Sequence, residues 1–202
     1  MNNLFGIKLV LQYKMRILIV IISFFLVSWQ IDSNKLEWNR NRKITWEDFK
    51  GVPKINSYDE AITSSGIEFS KTYRRDTLFI GITSYFYKIN SWVKNKDASE
   101  YKLKHEQVHF DISEIYARKL KKEISQLLLS DTINKKYLDF LFDKFIIEMN
   151  EYQDLYDKET NHSINNEKQL EWNNKIEYQL NELEQWSQYQ PSRKVNEEFF
   201  SK

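Results

Sequence analysis

The chain has 202 residues, which is enough for one domain with a substantial core and a targeting segment. Its 30 lysine and arginine residues are almost balanced by 29 aspartate and glutamate residues, so no large field of one sign is available to attract nucleic acid, and we expect no nucleic-acid partner. Cysteine is absent, which excludes disulfides and thiolate ligands, so any metal site must use nitrogen and oxygen ligands.

The N-terminal region has the pattern of an export signal. Three basic residues, Lys8, Lys14 and Arg16, precede residues 17–31, which carry no charge. At about 1.5 Å per residue this run is shorter than the roughly 30 Å hydrocarbon core of a bilayer, so it is not typical of a stable membrane span. We therefore predict that residues 1–32 are a signal peptide or an N-terminal membrane anchor, and that the protein is secreted or exported to the periplasm or cell envelope. The alternative is a buried N-terminal helix.

The rest of the chain divides by composition into a linker, one domain and a tail. Residues 33–43 are polar and predict a linker, residues 44–188 form the predicted domain, and residues 189–202 form the predicted C-terminal tail. The domain opens with residues 44–53, "ITWEDFKGVP", whose apolar positions have roughly helical spacing and whose glycine and proline end the pattern. This segment predicts a short turn or helix that covers one end of the core.

Two β-strands are predicted next. Residues 62–73 and 76–89 are rich in β-branched and aromatic residues, and the letters "RRD" between them predict a turn. In the second strand both sets of alternating positions include large apolar residues. This pattern predicts either a sheet with two largely apolar faces or a strand that lines a cleft.

The following segment predicts a long amphipathic helix that carries a metal-binding motif. From Tyr101 to Leu127 apolar residues recur three to five positions apart. Within it, "HEQVH" places His105 and His109 four residues apart, so both ring nitrogens can reach one zinc ion at about 2.1 Å. Glu106 lies about 100° around the helix and can accept a proton from a water molecule without binding the metal. The alternative is that both histidines are structural and hydrogen-bonded on a helix face.

Three other charged residues of this helix are expected to be exposed. Glu114 and Arg118 are four residues apart, which is typical of a solvated ion pair. Asp111 is likewise expected at the surface.

A second helix and a third histidine follow. The apolar pattern breaks around residues 130–136, where Ser130, Asp131 and Thr132 have the chemistry of a cap and turn, and it resumes from Leu138 to Tyr156. Because the connection between the two predicted helices is short, we expect them to form an antiparallel hairpin. If Ile133 is the centre of the turn, His162 lies level with His105 across the hairpin. All three histidines of the chain would then meet at one site.

The third metal ligand has three candidates. His162 is favoured by ligand preference and by its place in the hairpin. Glu159 lies on the same predicted face of the second helix, and Asp157 either binds the metal or orients a ligating histidine. Thr160 is expected to cap the end of this helix.

These motifs together resemble a family of predicted secreted zinc-dependent proteases of bacteria, catalogued as a domain of unknown function within the HExxH zincin group. The similarity extends from about Ile44 to about Leu183. The segments that carry it are "ITWEDFKG", "ITSSGI", "HEQVHFDISEIYARKL" and "YDKETNHS". The resemblance implies a zincin-like α+β fold, and it does not supply a substrate.

The resemblance also implies roles for individual residues. It implies that His105 and His109 are zinc ligands and that Glu106 is the catalytic base. It further marks Asp157, Thr160 and His162, in the segment "YDKETNHS", as functionally important. One departure is Ser163, which stands where the family pattern has glycine.

The predicted architecture is therefore α+β and zincin-like: a small, partly antiparallel sheet, a long HExxH helix, an antiparallel second helix and a C-terminal helix that packs on the domain. The predicted function is hydrolysis of a peptide or protein substrate by a zinc-activated water, with Glu106 as base and the substrate added along the edge of residues 76–89. The alternative is a non-enzymatic cell-envelope protein in which zinc only holds the helical hairpin together.

Overall fold

In the computed structural model of the chain, the described residues are 34–54, 56–129 and 134–195, and they belong to one compact unit. They form a mixed α+β fold with three α-helices and small antiparallel sheets, as predicted. No helix within these ranges is long and apolar enough to cross a membrane. Residues 17–31 lie outside the described ranges, so the signal or anchor stays a prediction.

A four-stranded antiparallel sheet forms one layer of the fold. Its central strand, β4, spans Thr77–Tyr87, and β3 (Ser65–Arg74) pairs with it along one edge. The other edge of β4 pairs with β1 (Lys35–Glu37) and β6 (Ser192–Lys194). The two long strands and the turn between them are therefore confirmed, and the turn includes Arg75 in a left-handed conformation with φ of 55°.

Two segments predicted to be irregular are short strands instead. β1 falls in the predicted linker at residues 33–43, and β6 falls in the predicted tail at residues 189–202. Each is only three residues long and is held by backbone pairing, which needs no run of apolar side chains. Because both edges of β4 are paired, the prediction that a substrate adds along residues 76–89 is wrong.

The sheet has one buried face, so the alternation in the second strand does not mark two equally apolar faces. Alternate residues of β4, from Leu78 to Phe86, are buried, whereas the residues between them are partly or fully exposed. The buried face packs against the first α-helix, in a core that includes Leu78, Ile80 and Ile82 from β4 and Ile112, Ile115 and Leu120 from that helix.

The first helix, α1 (Glu100–Leu127), lies at the centre of the domain, and 16 of its 28 residues are buried. It contacts the sheet and both other helices, α2 (Lys135–Thr160) and α3 (Asn166–Glu182). A second small sheet pairs β2 (Ala61–Ile62) with β5 (Trp92–Val93). The predicted short helix is a 3-10 turn at Trp46–Asp48, beside the buried residues Ile44 and Phe49.

Because α1 is covered on several sides, the prediction that its charged residues are exposed is wrong. Glu114, Arg118 and Asp111 are all buried. Arg118 donates to Glu114 Oε1 over 2.7 Å, and its guanidinium lies 4.9 Å from the ring of Trp38. Asp111 accepts from Trp38 Nε1 over 2.7 Å. These charges are therefore paired inside the protein, as burial requires.

The α1–α2 hairpin is antiparallel, as predicted, but its register differs from the prediction. His105 lies opposite Asp157 and His109 lies opposite Gln153, so both pairs are centred on position 131 and not on Ile133. The predicted cap residues 130–132 lie outside the described residues, and Asn134 caps α2 by accepting from Tyr137 N. The shift of the centre puts Asp157, not His162, level with His105.

Candidate metal centre

Three potential metal ligands meet between the first half of α1 and the last turn of α2. Asp157 Oδ1 lies 3.2 Å from His105 Nε2 and 3.0 Å from His109 Nε2. These residues form the one group of this kind found among the described residues, and their ligand atoms all lie within 4.8 Å of one another. The helical spacing of the two histidines and the hairpin register together bring the three side chains to one point.

The proton of His109 is positioned by Gln153. The amide nitrogen of Gln153 donates to the backbone carbonyl of His109 over 2.9 Å. That carbonyl can only accept, which fixes the orientation of the amide and points its oxygen at His109 Nδ1, 2.6 Å away. His109 must therefore carry a proton on Nδ1, and in the neutral imidazole Nε2 presents a lone pair to Asp157.

A longer chain of hydrogen bonds positions the proton of His105. The buried hydroxyl of Tyr156 donates to the His105 carbonyl over 3.2 Å and accepts from Gln169 Nε2 over 2.7 Å. Gln169 therefore turns its oxygen toward His105 Nδ1, 2.9 Å away. Burial raises the pKa of Tyr156, so its hydroxyl stays protonated and available as a donor. His105 therefore carries a proton on Nδ1, and in the neutral imidazole its Nε2 presents a lone pair toward the carboxylate of Asp157.

The electrostatics of this group favour a bound cation. Asp157 Oδ1 is buried, and among the described residues it has no hydrogen-bond partner apart from the two imidazoles. Burial raises the pKa of Asp157, but hydrogen bonds and charge from His105 and His109 lower it by more; burial lowers the pKa of His109, but Asp157 raises it by more, so a proton on the imidazole faces the carboxylate when no cation is bound. A cation that displaces the proton from between these groups would meet two imidazole nitrogens and one carboxylate oxygen as acceptors, and it would satisfy all three. The residues present thus fit a metal ion of the kind predicted, although they do not identify the metal.

Glu106 is buried beside the group and lines an open cavity. That cavity, here called the Glu106 cavity, has a volume of about 550 Å³ and also reaches His105, His109 and Asp157. A second cavity of about 710 Å³, here called the Gln153 cavity, is also lined by His109 and Asp157. Ile62 and Thr63 line both cavities, and Thr63 Oγ1 donates to the backbone carbonyl of Glu106 over 3.3 Å. Both cavities therefore reach the residues that could hold a metal.

His162 lies near the group but outside it. Helix α2 ends at Thr160, and Asn161, His162 and Ser163 all have positive φ angles of 48°, 50° and 70°. The side chain of His162 is 64% exposed, and its Nδ1 lies 3.9 Å from Asp157 Oδ1. The geometry thus groups Asp157 with the two helical histidines and leaves His162 at the mouth of the Glu106 cavity. The helix does not continue far enough to place His162 on its inner face.

The other candidates of this segment have structural partners. Glu159 accepts a hydrogen bond from Trp172 Nε1 over 2.7 Å, which holds it against α3. The hydroxyl of Thr160 donates to the carbonyl of Tyr156 over 2.7 Å, in the last turn of α2.

The sequence indicated the ligands on α1 but not the residues that orient them. Gln153 is four residues before Asp157, so its place on the same helix face could have been recognised once Asp157 was chosen. Gln169 belongs to a different helix, and no local pattern connects it with His105.

Comparisons with protein-family models, with curated proteins and with solved structures give no match. The resemblance to secreted zinc-dependent proteases therefore stays a prediction.

Proposed function

We propose that this protein is an exported zinc-dependent metallopeptidase with a zincin-like fold, in which His105, His109 and Asp157 hold the ion and Glu106 is the general base. The observation that carries the proposal is the convergence of three acceptor atoms beside Glu106 in the wall of an open cavity. Two imidazoles and one carboxylate are a ligand set typical of catalytic zinc. Ligand atoms around a tetrahedral zinc with bonds of about 2.0–2.1 Å are roughly 3.3 Å apart, and the separations of 3.0 and 3.2 Å are close to this value.

Zinc bound by these residues would lower the pKa of a water toward about 7 and polarise the carbonyl of a peptide bond. The residues of the chain supply the remaining functions. Glu106 is not a metal ligand in this arrangement. It would accept the proton of the attacking water and deliver it to the leaving amine. Gln153 and Gln169 hold the two imidazoles in the tautomer that leaves Nε2 free for the metal.

The substrate would lie along β2. This strand pairs with β5 on one side and has no strand partner on the other among the described residues. Ile62, in β2, and the adjacent Thr63 line both cavities beside the metal group. An extended peptide can pair with such an edge through its backbone, which replaces the predicted pairing along residues 76–89.

One observation favours a second function, a non-enzymatic cell-envelope protein with a structural zinc. His162 Nδ1 is only 3.9 Å from Asp157 Oδ1. A rotation of this exposed side chain would supply a fourth protein ligand and close the site, as in structural zinc centres.

The two functions are separated by the variant Glu106→Gln in the full chain. The catalytic proposal requires that zinc content and fold are unchanged, because Glu106 is not a ligand, and that peptide hydrolysis falls by about 10² to 10⁴, the range for the loss of a general base. Zinc content is measured by metal analysis, and fold by circular dichroism. Loss of zinc from this variant, or a zinc-loaded wild type that cleaves no peptide, would favour the structural alternative.

Export is the remaining part of the proposal and rests on the sequence of residues 1–32. A reporter fused to the C-terminus should be found outside the cytoplasm, and deletion of residues 1–31 should retain it inside. An unchanged distribution after the deletion would contradict the export signal.

A further inference from the structure

The two cavities beside the metal group have exposed apolar side chains at their walls. Tyr58 and Ile164 line the Glu106 cavity, and Val52 and Ile89 line the Gln153 cavity. Ile62 lies between them and lines both. All five are among the large apolar side chains that are exposed to solvent. A concentration of such side chains around a cleft indicates contact with an apolar ligand, because isolated exposed apolar residues need no explanation but clusters do.

The charges of the cavity walls do not select a substrate of one sign. The Gln153 cavity contains Lys54 and Asp59, and the Glu106 cavity contains Asp59, Glu60 and Lys102. Glu60 is also paired with a lysine outside the cavities, Lys94, over 3.5 Å. A strongly acidic or strongly basic peptide would therefore meet charges of both signs, and the apolar side chains are the feature that distinguishes one peptide from another.

The position of the metal group between the cavities suggests how a peptide would pass through. His109 and Asp157 line both cavities, so a bond held by a metal at these residues would lie where the two cavities meet. Ile62, in a strand whose other edge has no strand partner within the described ranges, lines both cavities as well. In an extended chain, side chains close to the scissile bond on its two sides would enter different cavities.

We propose that the substrate of this centre is an extended segment of a peptide or protein with large apolar side chains on both sides of the scissile bond. One of these side chains packs near Ile164 in the Glu106 cavity, and the other packs near Ile89 in the Gln153 cavity. This inference rests on the proposed peptidase function and adds the substrate class to it.

The test uses the zinc-loaded full chain and a library of quenched fluorescent peptides that vary the residues flanking the cleaved bond. The wild type should prefer leucine or phenylalanine to aspartate, lysine or serine on both sides, by about tenfold or more in kcat/KM at each position, the size expected for burying one apolar side chain. Ile164→Asp should remove the preference on one side only, and Ile89→Asp should remove it on the other.

The matched control is Phe140→Asp, which changes an exposed apolar residue near the start of α2, at the opposite end of that helix from Asp157. Its preferences should equal those of the wild type, and all variants should keep their zinc. Cleavage without an apolar preference, or a preference that neither cavity variant alters, overturns the substrate class and leaves the peptidase function standing. A wild type that cleaves no member of the library overturns both.

Discussion

The assignment of Asp157 as third ligand gives the sharpest prediction about the metal centre. Asp157→Asn keeps the size of the side chain but removes the charge that faces His105 and His109 at 3.2 and 3.0 Å. Structural zinc sites with four ligands bind with about 10–16 kcal/mol in total, so one ligand contributes roughly 2.5–4 kcal/mol, or about 10² to 10³ in affinity. We expect a loss of this size for Asp157→Asn.

The matched variants are His162→Ala and Glu159→Gln. His162 is exposed and lies 3.9 Å from the carboxylate, and Glu159 is held by Trp172, so each should change zinc affinity by less than about tenfold. The dissociation constant of zinc is measured on the full chain by competition with a chromogenic chelator at constant pH. The reasoning is refuted if His162→Ala loses zinc while Asp157→Asn keeps it. A loss of similar size in both variants would indicate four protein ligands and hence a structural site.

Two further predictions concern the residues around the ligands. Gln153→Leu and Gln169→Leu should each lower zinc affinity by about 10- to 100-fold, because the imidazoles lose the acceptors that fix their tautomers. The control is Gln179→Leu, on α3, which removes a hydrogen bond to Tyr152 of α2 and should leave zinc affinity unchanged. Chelator competition measures the affinity of all three variants. Ser163→Gly should raise the free energy of unfolding by up to about 1 kcal/mol. Glycine adopts the positive φ of 70° without strain, and this gain exceeds the loss that comes from the greater entropy of glycine in the unfolded chain. A lower denaturant midpoint for the variant would contradict this.

The parts of the fold that the sequence predicted correctly are those with a long local period. The β-branched and aromatic residues of β3, the alternating residues of β4 and the three-to-five spacing along α1 each extend over ten or more residues, and the predicted elements agree with the structure. β1 and β6 have three residues each, which is too short for a period to be recognised. Their pairing depends on backbone groups of a strand that is distant in the sequence.

The burial of Glu114 and Arg118 was missed for a related reason. Their spacing of four residues is the same for a solvated pair and a buried one. What distinguishes the two is the cover supplied by distant residues: Trp38 over the guanidinium, Ser84 at 2.5 Å from Glu114, and the carbonyl of Leu180 at 2.8 Å from Arg118. None of these contacts has a local signature in the sequence.

The proposed third ligand shows how a small error in register changes a predicted site. A hairpin centre two residues too late moves the expected partner of His105 by four residues, which is about one helical turn. The correct centre, at position 131, leads to Asp157. The end of α2 adds to the error, because the chain turns into left-handed conformations at Asn161 before it reaches His162.

The position of Ser163 connects this helix end with the predicted family pattern. The family pattern has glycine there, and the structure gives Ser163 a positive φ, a conformation that glycine adopts without strain. The same turn lets the backbone N–H of His162 donate to the carbonyl of Asp157 over 3.0 Å, which closes the helix directly behind the carboxylate. This turn therefore sets the end of α2 directly after the segment that carries Asp157. His162 thus supports the end of the helix that carries Asp157 through its backbone, while its side chain lies outside the group that could hold a metal.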